Sequence, residues 1–204
     1  MSRVPTLPPE TPRVASLWRR MVGGLALRLI GWRVEGNLPN RPKFVLVIAP
    51  HTSNWDFIVG FLVYLALQLE TLWFAKHTAL RGPLGPLGRH FGAVAIDRGR
   101  AGNVVQAYVE EFAKRDRMIL TLAPEGTRSR VRDWKLGFYR VAVAAGVPIV
   151  PGAIDYSRKC VVFGPPLDPS GDYVADMRVL KPFFRANMAF DPAKYDESLP
   201  TDPS

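Results

Sequence analysis

The sequence predicts an α/β fold, a single domain with a mostly parallel or mixed central sheet flanked by helices. Three observations carry this. Short apolar runs recur along the chain, segments with helical apolar spacing separate them, and neither a repeat nor a composition break divides the 204 residues. That length suits one domain with a real core.

The elements follow in order. Residues 1–12 are Pro-rich and polar, and are expected to be flexible. Residues 14–32, VASLWRRMVGGLALRLIGW, repeat apolar positions at helical spacing with arginines among them, although Gly23 and Gly24 weaken the helix. Residues 13–33 are therefore read as a basic amphipathic helix that associates with a membrane, the alternative being an ordinary helix packed on the domain. The domain proper spans 34–190. KFVLVIA (43–49) is a continuous apolar run, the mark of a strand buried on both faces. A helix follows over 54–69, then a strand over 71–75. Residues 78–90 form a helix or loop broken by Gly and Pro, before a strand over 92–96. Residues 102–115 are an amphipathic helix with Asn103 as its cap, and 118–123 a strand. A helix over 135–146 ends at Gly146, and strands follow over 147–154 and 159–164. Residues 171–186 read as helical, and 191–204 as a flexible acidic tail.

Composition narrows the partners. The net charge is +9 and the pI about 10.0, which favours anionic surfaces or substrates. The first 41 residues carry seven arginines against two glutamates. No basic–aromatic ladder or nucleic-acid motif accompanies this charge, so no nucleic acid is expected as a partner. Cys160 is the one cysteine, which excludes an internal disulfide framework and fits a reducing compartment. His77 and His90 have no paired ligands nearby, so no metal is expected. The apolar run 57–69 has 13 residues, short of the about 20 that cross a bilayer. The start has no apolar core of a signal peptide.

The stretch APHTSNWDFIVG (49–60) places His51 and Asp56 five residues apart. On an ideal helix these would be separated by roughly 140°. Pro50 precedes His51, however, and Thr52, Ser53 and Asn54 are all capping types, so the helix starts within 52–54. His51 then lies in the strand-to-helix turn and Asp56 in the first helical turn, where imidazole and carboxylate can meet. An aspartate on one imidazole nitrogen fixes the tautomer and leaves the other as a base. This is part of a serine triad, but Gly-x-Ser-x-Gly is absent, so the nucleophile would be a substrate hydroxyl.

Two further strand ends point to the same place. APEGTRSR (123–130) delivers an acid, a glycine, hydroxyls and a guanidinium, and GAVAIDR (92–98) delivers Asp97 and Arg98. Arginine suits bidentate phosphate binding, and Gly126 allows close backbone approach. Ligands of open α/β sheets sit outside the carboxyl ends of the strands.

In these blocks the chain resembles the glycerolipid acyltransferases of the lysophosphatidic acid acyltransferase type. His51 to Asp56 matches the family's His-x4-Asp block, and Gly92 to Arg98 the second. Pro124-Glu125-Gly126-Thr127-Arg128-Ser129 matches the third and Val147-Pro148-Ile149-Val150-Pro151 the fourth, all in the family's order. The likeness covers roughly residues 43–166 and implies the glycerol-3-phosphate acyltransferase-like fold. It also implies acyl transfer from acyl-CoA or acyl carrier protein to a lysophospholipid hydroxyl, with no cofactor beyond the donor. His51 would be the base and Asp56 its partner. Arg98 and Arg128 would bind the acceptor's phosphate, Glu125, Gly126 and Thr127 would shape that pocket, and Lys76 would add positive charge. Lysophosphatidic acid is the default acceptor. Ala123 stands where the third block usually opens with an aromatic, so another lysolipid, such as a lyso-ornithine lipid, stays open. The reading places the protein peripherally on the cytoplasmic face of the cell membrane, bound to an anionic surface. Its rival is a non-enzymatic protein that binds such a surface.

Overall fold

The computed structural model describes residues 4–76, 85–90, 92–96 and 101–200. Among the described residues, seven strands form one sheet: β1 (Arg33–Glu35), β2 (Lys43–Ala49), β3 (Thr71–Lys76), β4 (Ala93–Ile96), β5 (Met118–Leu122), β6 (Ile149–Asp155) and β7 (Cys160–Phe163). Their order is β1-β7-β6-β2-β5-β3-β4. Every neighbouring pair is parallel except the hairpin of β6 with β7, so the sheet is mixed, as expected. The three-residue β1 carries too little pattern to be read from sequence.

β2 lies between β5 and β6, and its alternation divides the core. Val45, Val47 and Ala49 enter one cluster with Tyr108 and Phe112 of α4 (Ala101–Lys114) and Phe138 and Val141 of α5 (Gly137–Ala145). Phe44 and Leu46 enter the other, with Leu27 of α1 (Leu17–Leu29) and Val59, Val63 and Ala66 of α2 (Trp55–Leu67). Period-two side chains on a strand covered on both faces therefore supply both cores.

Several expected boundaries shift. α2 runs from Trp55, with Asn54, the last of the three capping candidates, in the N-cap position but making no side-chain cap. Instead Ser53 Oγ accepts from the Trp55 N–H at 3.1 Å. α4 begins two residues before Asn103, which is therefore not its cap. Gly146 does end α5, with φ of +63°, where a side chain would be strained. Residues 85–90 form α3, whereas residues 77–84 lie outside the described ones. The helix expected over 171–186 covers only Tyr173–Leu180 (α6) before short 3-10 turns, because Pro182 cannot donate to a helical ladder.

The terminal segments hold contacts that composition alone does not reveal. Val4 and Leu7 are buried, and the Pro9 carbonyl accepts from Arg117 Nη2 at 2.6 Å. Tyr195 is buried and Asp196 pairs with Arg130 at 3.1 Å, so packed chain continues past Asp191.

The periodicity of α1 is helical, but its facing is inverted. Arg19, Gly23 and Leu27 point inward, while the stripe Leu17, Met21, Leu25 and Leu29 points outward, with Leu29 77% exposed. Gly23 fixes this arrangement. A Cβ there would lie 2.4 Å from the Ala66 nitrogen and 2.8 Å from the Leu62 carbonyl oxygen of α2. Such close backbone approach admits no side chain. Arg19 adds a hydrogen bond to the Tyr64 hydroxyl at 3.3 Å. The helices run antiparallel, since Ser16 meets Gln68 while Gly23 meets Leu62 and Ala66. The Leu29 end of α1 thus points toward the start of α2, where Trp55, Phe57 and Ile58 are also exposed.

The adjacent glycines give a paired test. Gly23→Ala should lower stability by about 1–3 kcal/mol in urea unfolding, because the backbone of α2 must move. Gly24→Ala, which meets nothing within 4 Å, should raise it by up to about 1 kcal/mol. Equal effects at both positions would contradict the packing described.

Candidate active site

β2 and β5 are parallel neighbours, paired from Lys43 with Met118 to Val47 with Leu122. Both therefore run out at the same edge of the sheet, where the chain continues into His51 and Glu125. The Glu125 carboxylate crosses the gap, and its Oε2 accepts from the His51 backbone N–H at 2.8 Å. One long-range hydrogen bond thus joins the two conspicuous loops of the sequence.

His51 Nδ1 lies 3.2 Å from Asp56 Oδ2, with His51 21% exposed and Asp56 1% exposed. The aspartate makes two further bonds. Oδ2 accepts from the Ser53 N–H and Oδ1 from the Tyr156 hydroxyl, both at 2.8 Å. Burial pushes the Asp56 carboxyl up, but donation from His51, Ser53 and Tyr156 outweighs burial and holds it below its ordinary value. The carboxylate is therefore ionised and fixed. It engages Nδ1, so Nε2 is the nitrogen left for a proton transfer.

Tyr156 is the residue that sequence reasoning missed. It follows β6, the neighbour of β2, and its ring stands edge-on between Trp32 at 5.0 Å and Phe190 at 5.2 Å. Burial, then the neighbouring Asp56 carboxylate, raises its pKa, which keeps the hydroxyl a donor. Its distance in sequence from Asp56 hides the pairing; only the β2–β6 register places it there.

The other candidates divide by position. Glu125 is 5% exposed and turned inward, so it braces His51 from behind. Burial pushes its carboxyl up to about 7, against the pull of the His51 amide and Lys181. Gly126 adopts φ of +64°, and Lys135 lies across it, 2.7 Å from where a Cβ would stand. Thr127 and Arg128 are exposed, and the Thr127 hydroxyl accepts from the Ser129 N–H at 3.2 Å. Asp97, Arg98 and the Lys76 side chain lie outside the described residues.

A cavity of about 1390 Å³ opens over this edge and includes His51, Asp56, Gly126, Thr127 and Arg128 in its lining. Phe57, Phe61, Trp73 and Tyr108 make its walls largely apolar, and Lys135 and Arg140 join Arg128 as cations. It is larger than a typical small-molecule site of about 300–1,000 Å³. The arrangement offers an oriented base, a long apolar recess and positive charge in one space. Among the described residues, no three His, Cys, Asp or Glu side chains gather as a metal site.

Comparison with known proteins gives a consistent picture. A model of the acyltransferase family matches residues 32–155. The 1-acyl-sn-glycerol-3-phosphate acyltransferase of Salmonella typhimurium is 32% identical over 163 residues, covering 75% of this chain and 64% of that protein. The Escherichia coli K12 protein of the same name is 33% identical over 153 residues, covering 70% and 60%. The chain thus spans a little under two thirds of these relatives' length. The crystal structure of the 1-acyl-sn-glycerophosphate (LPA) acyltransferase PlsC from Thermotoga maritima shares the fold, with a TM-score of 0.61 and 22% identity over 81% of this chain and 76% of that one.

The buried Glu125 gives a pH-dependent signature. The folded protein holds this proton up to about pH 7, whereas an unperturbed glutamate releases it near 4.5. The contribution of Glu125 to stability is therefore fully present below about 4.5 and is lost as pH rises through about 7. Glu125→Gln lacks that slope. Its Tm relative to the parent protein should rise between pH 5 and pH 8 in thermal melts, and a difference independent of pH would contradict the placement.

Proposed function

The chain belongs to the acyltransferase family, and on that premise we propose that it transfers a fatty acyl chain from acyl-CoA or acyl carrier protein to the hydroxyl of a lysophospholipid, with lysophosphatidic acid the default acceptor. The name shared by the curated relatives supports that acceptor. The observation that carries the reading is the contact of His51 Nδ1 with a buried Asp56 at the edge of a large, mostly apolar cavity.

In the proposed reaction, His51 Nε2 takes the proton of the acceptor hydroxyl as its oxygen attacks the thioester carbonyl carbon. The tetrahedral intermediate expels the thiolate, which receives that proton from the imidazolium. The products are an ester and a free thiol, and no acyl group passes through the protein. Asp56 holds the tautomer and stabilises the imidazolium. Arg128, joined on the resemblance by Arg98 and Lys76, binds the acceptor's anionic headgroup. Gly126 and Thr127 shape that side of the pocket, and the apolar walls receive acyl chain.

A lipid acceptor requires the protein to work at a bilayer. The outward stripe of α1 and the exposed Trp55, Phe57 and Ile58 form an apolar face on the helices that flank the site, with exposed Arg20 and Arg28 nearby. Such a surface suits shallow insertion among anionic lipids. No helix among the described residues is long and apolar enough to cross a membrane. The proposed location is the cytoplasmic face of the cell membrane.

Thiol release from both donors, across a panel of lysolipids that includes a lyso-ornithine lipid, tests the chemistry. His51→Ala and Asp56→Asn should each lower kcat by at least about 100-fold. Tyr156→Phe should lower it less, with little change in KM. Full acceptor-dependent release by His51→Ala would refute the mechanism. For the membrane face, Leu25→Asp and Leu29→Asp should weaken co-sedimentation with phosphatidylglycerol-containing vesicles without lowering Tm. Unchanged co-sedimentation would refute that surface.

A further inference from the structure

The family match ends at residue 155, and the chain beyond it returns over the loop that carries His51. The Met188 carbonyl accepts from the Tyr156 N–H at 2.9 Å. The Asp191 N–H donates to Thr52 Oγ1 at 3.2 Å, one residue from His51. Ala189, between the two bonds, is buried in the same core cluster as Phe184 and Tyr195. Residues 188–191 are thus pinned at three points beside the His51–Asp56 pair.

Phe190 is the side chain that this pinning presents. It is 52% exposed, so burial of its own surface contributes little to holding it there. Its ring centroid lies 5.2 Å from that of Tyr156, at an interplanar angle of 77°. Trp32, which is buried, stands against the same tyrosine at 5.0 Å and 87°. Both are edge-on pairs, an arrangement that aromatic rings favour beyond the area they bury. Together the two rings set the plane of Tyr156. The tyrosine hydroxyl sits at the far end of that ring and donates to Asp56 Oδ1 at 2.8 Å. A modest swing of the ring would carry it out of hydrogen-bond range. Of the three donors to Asp56, only Tyr156 comes from outside the segment that begins at His51 and enters α2. Its aim therefore depends on what packs around it.

We propose that Phe190 is a positioning residue of the active site: its ring holds Tyr156 in the orientation that donates to Asp56, and the backbone bonds at Met188 and Asp191 hold Phe190. The series runs from the Phe190 ring to the Tyr156 ring, from the Tyr156 hydroxyl to Asp56, and from Asp56 to His51 Nδ1. Phe190 acts through Tyr156 and not on the imidazole directly. The working site thus extends into chain that the family match leaves out.

The test compares Phe190→Ala, Phe190→Leu, Phe190→Tyr, Tyr156→Phe and the double variant Phe190→Ala/Tyr156→Phe in the full chain. Its kinetic arm rests on the acyl-transfer reading; its NMR arm does not. Phe190→Ala should lower kcat by about 2–10-fold at nearly constant KM, the worth of one edge-on aromatic pair. It should also raise the pH at which Asp56 titrates, read by ¹³C NMR at its Cγ, because a carboxylate that loses a donor binds its proton more tightly. His51, the other titratable group on Asp56, is kept in every variant. Tyr156→Phe should move Asp56 in the same direction, and in that background Phe190→Ala should add little. Phe190→Tyr keeps the ring edge and should stay close to the parent protein. Phe190→Leu, apolar but without a ring, should follow the alanine variant, and it serves if that variant does not fold. An unmoved Asp56 titration in the ring-less variants, or a full further loss in the double variant, would overturn the proposal. So would a loss confined to KM and to co-sedimentation with vesicles, the mark of a residue that only touches lipid. If the parent protein transfers no acyl group, the acyl-transfer reading fails, and the Asp56 titration still decides this one.

Discussion

A single buried carboxylate, that of Asp56, organises the front of this molecule. It accepts from the His51 ring, the Ser53 amide and the Tyr156 hydroxyl, so it ties together the loop after β2, the first turn of α2 and the residue after β6. Burying an anion is costly unless donors surround it, and here the donors prevail over burial. The local structure follows from that requirement. The Ser53 amide must point back at Asp56, which sets the start of α2 at Trp55, and Tyr156 must project from β6 toward β2.

The sheet makes the meeting possible. Parallel pairing of β2 with β5 and with β6 brings three strand ends to one edge, each followed by residues that touch the site. Glu125 then locks the backbone of His51, while Asp56 locks its ring. An imidazole held at both backbone and side chain loses little entropy on reaching a working geometry, which is the preorganisation the proposed acyl transfer would demand.

What the sequence discloses and what it hides divide along the distance between partners. Strands and helices rest on local periodicity, and their alternation gives the α/β class and a mostly parallel or mixed sheet. His51 and Asp56 were legible as a pair because they are five residues apart with a turn between them. Tyr156 stands 100 residues from Asp56, and Glu125 is 74 from His51, so those contacts depend on strand order and register. The inward aim of Glu125 could not be told from the pocket-lining placement expected of it. Helical spacing in α1 likewise gave an amphipathic helix without saying which face is covered. The choice rests with Gly23, whose missing Cβ lets α2 approach and turns the apolar stripe outward.

The central claim is that Asp56 fixes His51 with its proton on Nδ1 and Nε2 bare. The ¹⁵N chemical shifts of the His51 imidazole, recorded at a pH where the ring is neutral, report this directly. The account predicts a protonated Nδ1 and an unprotonated Nε2, with that pattern lost in Asp56→Asn. A neutral ring protonated on Nε2, or a tautomer mixture like that of free histidine, would contradict it.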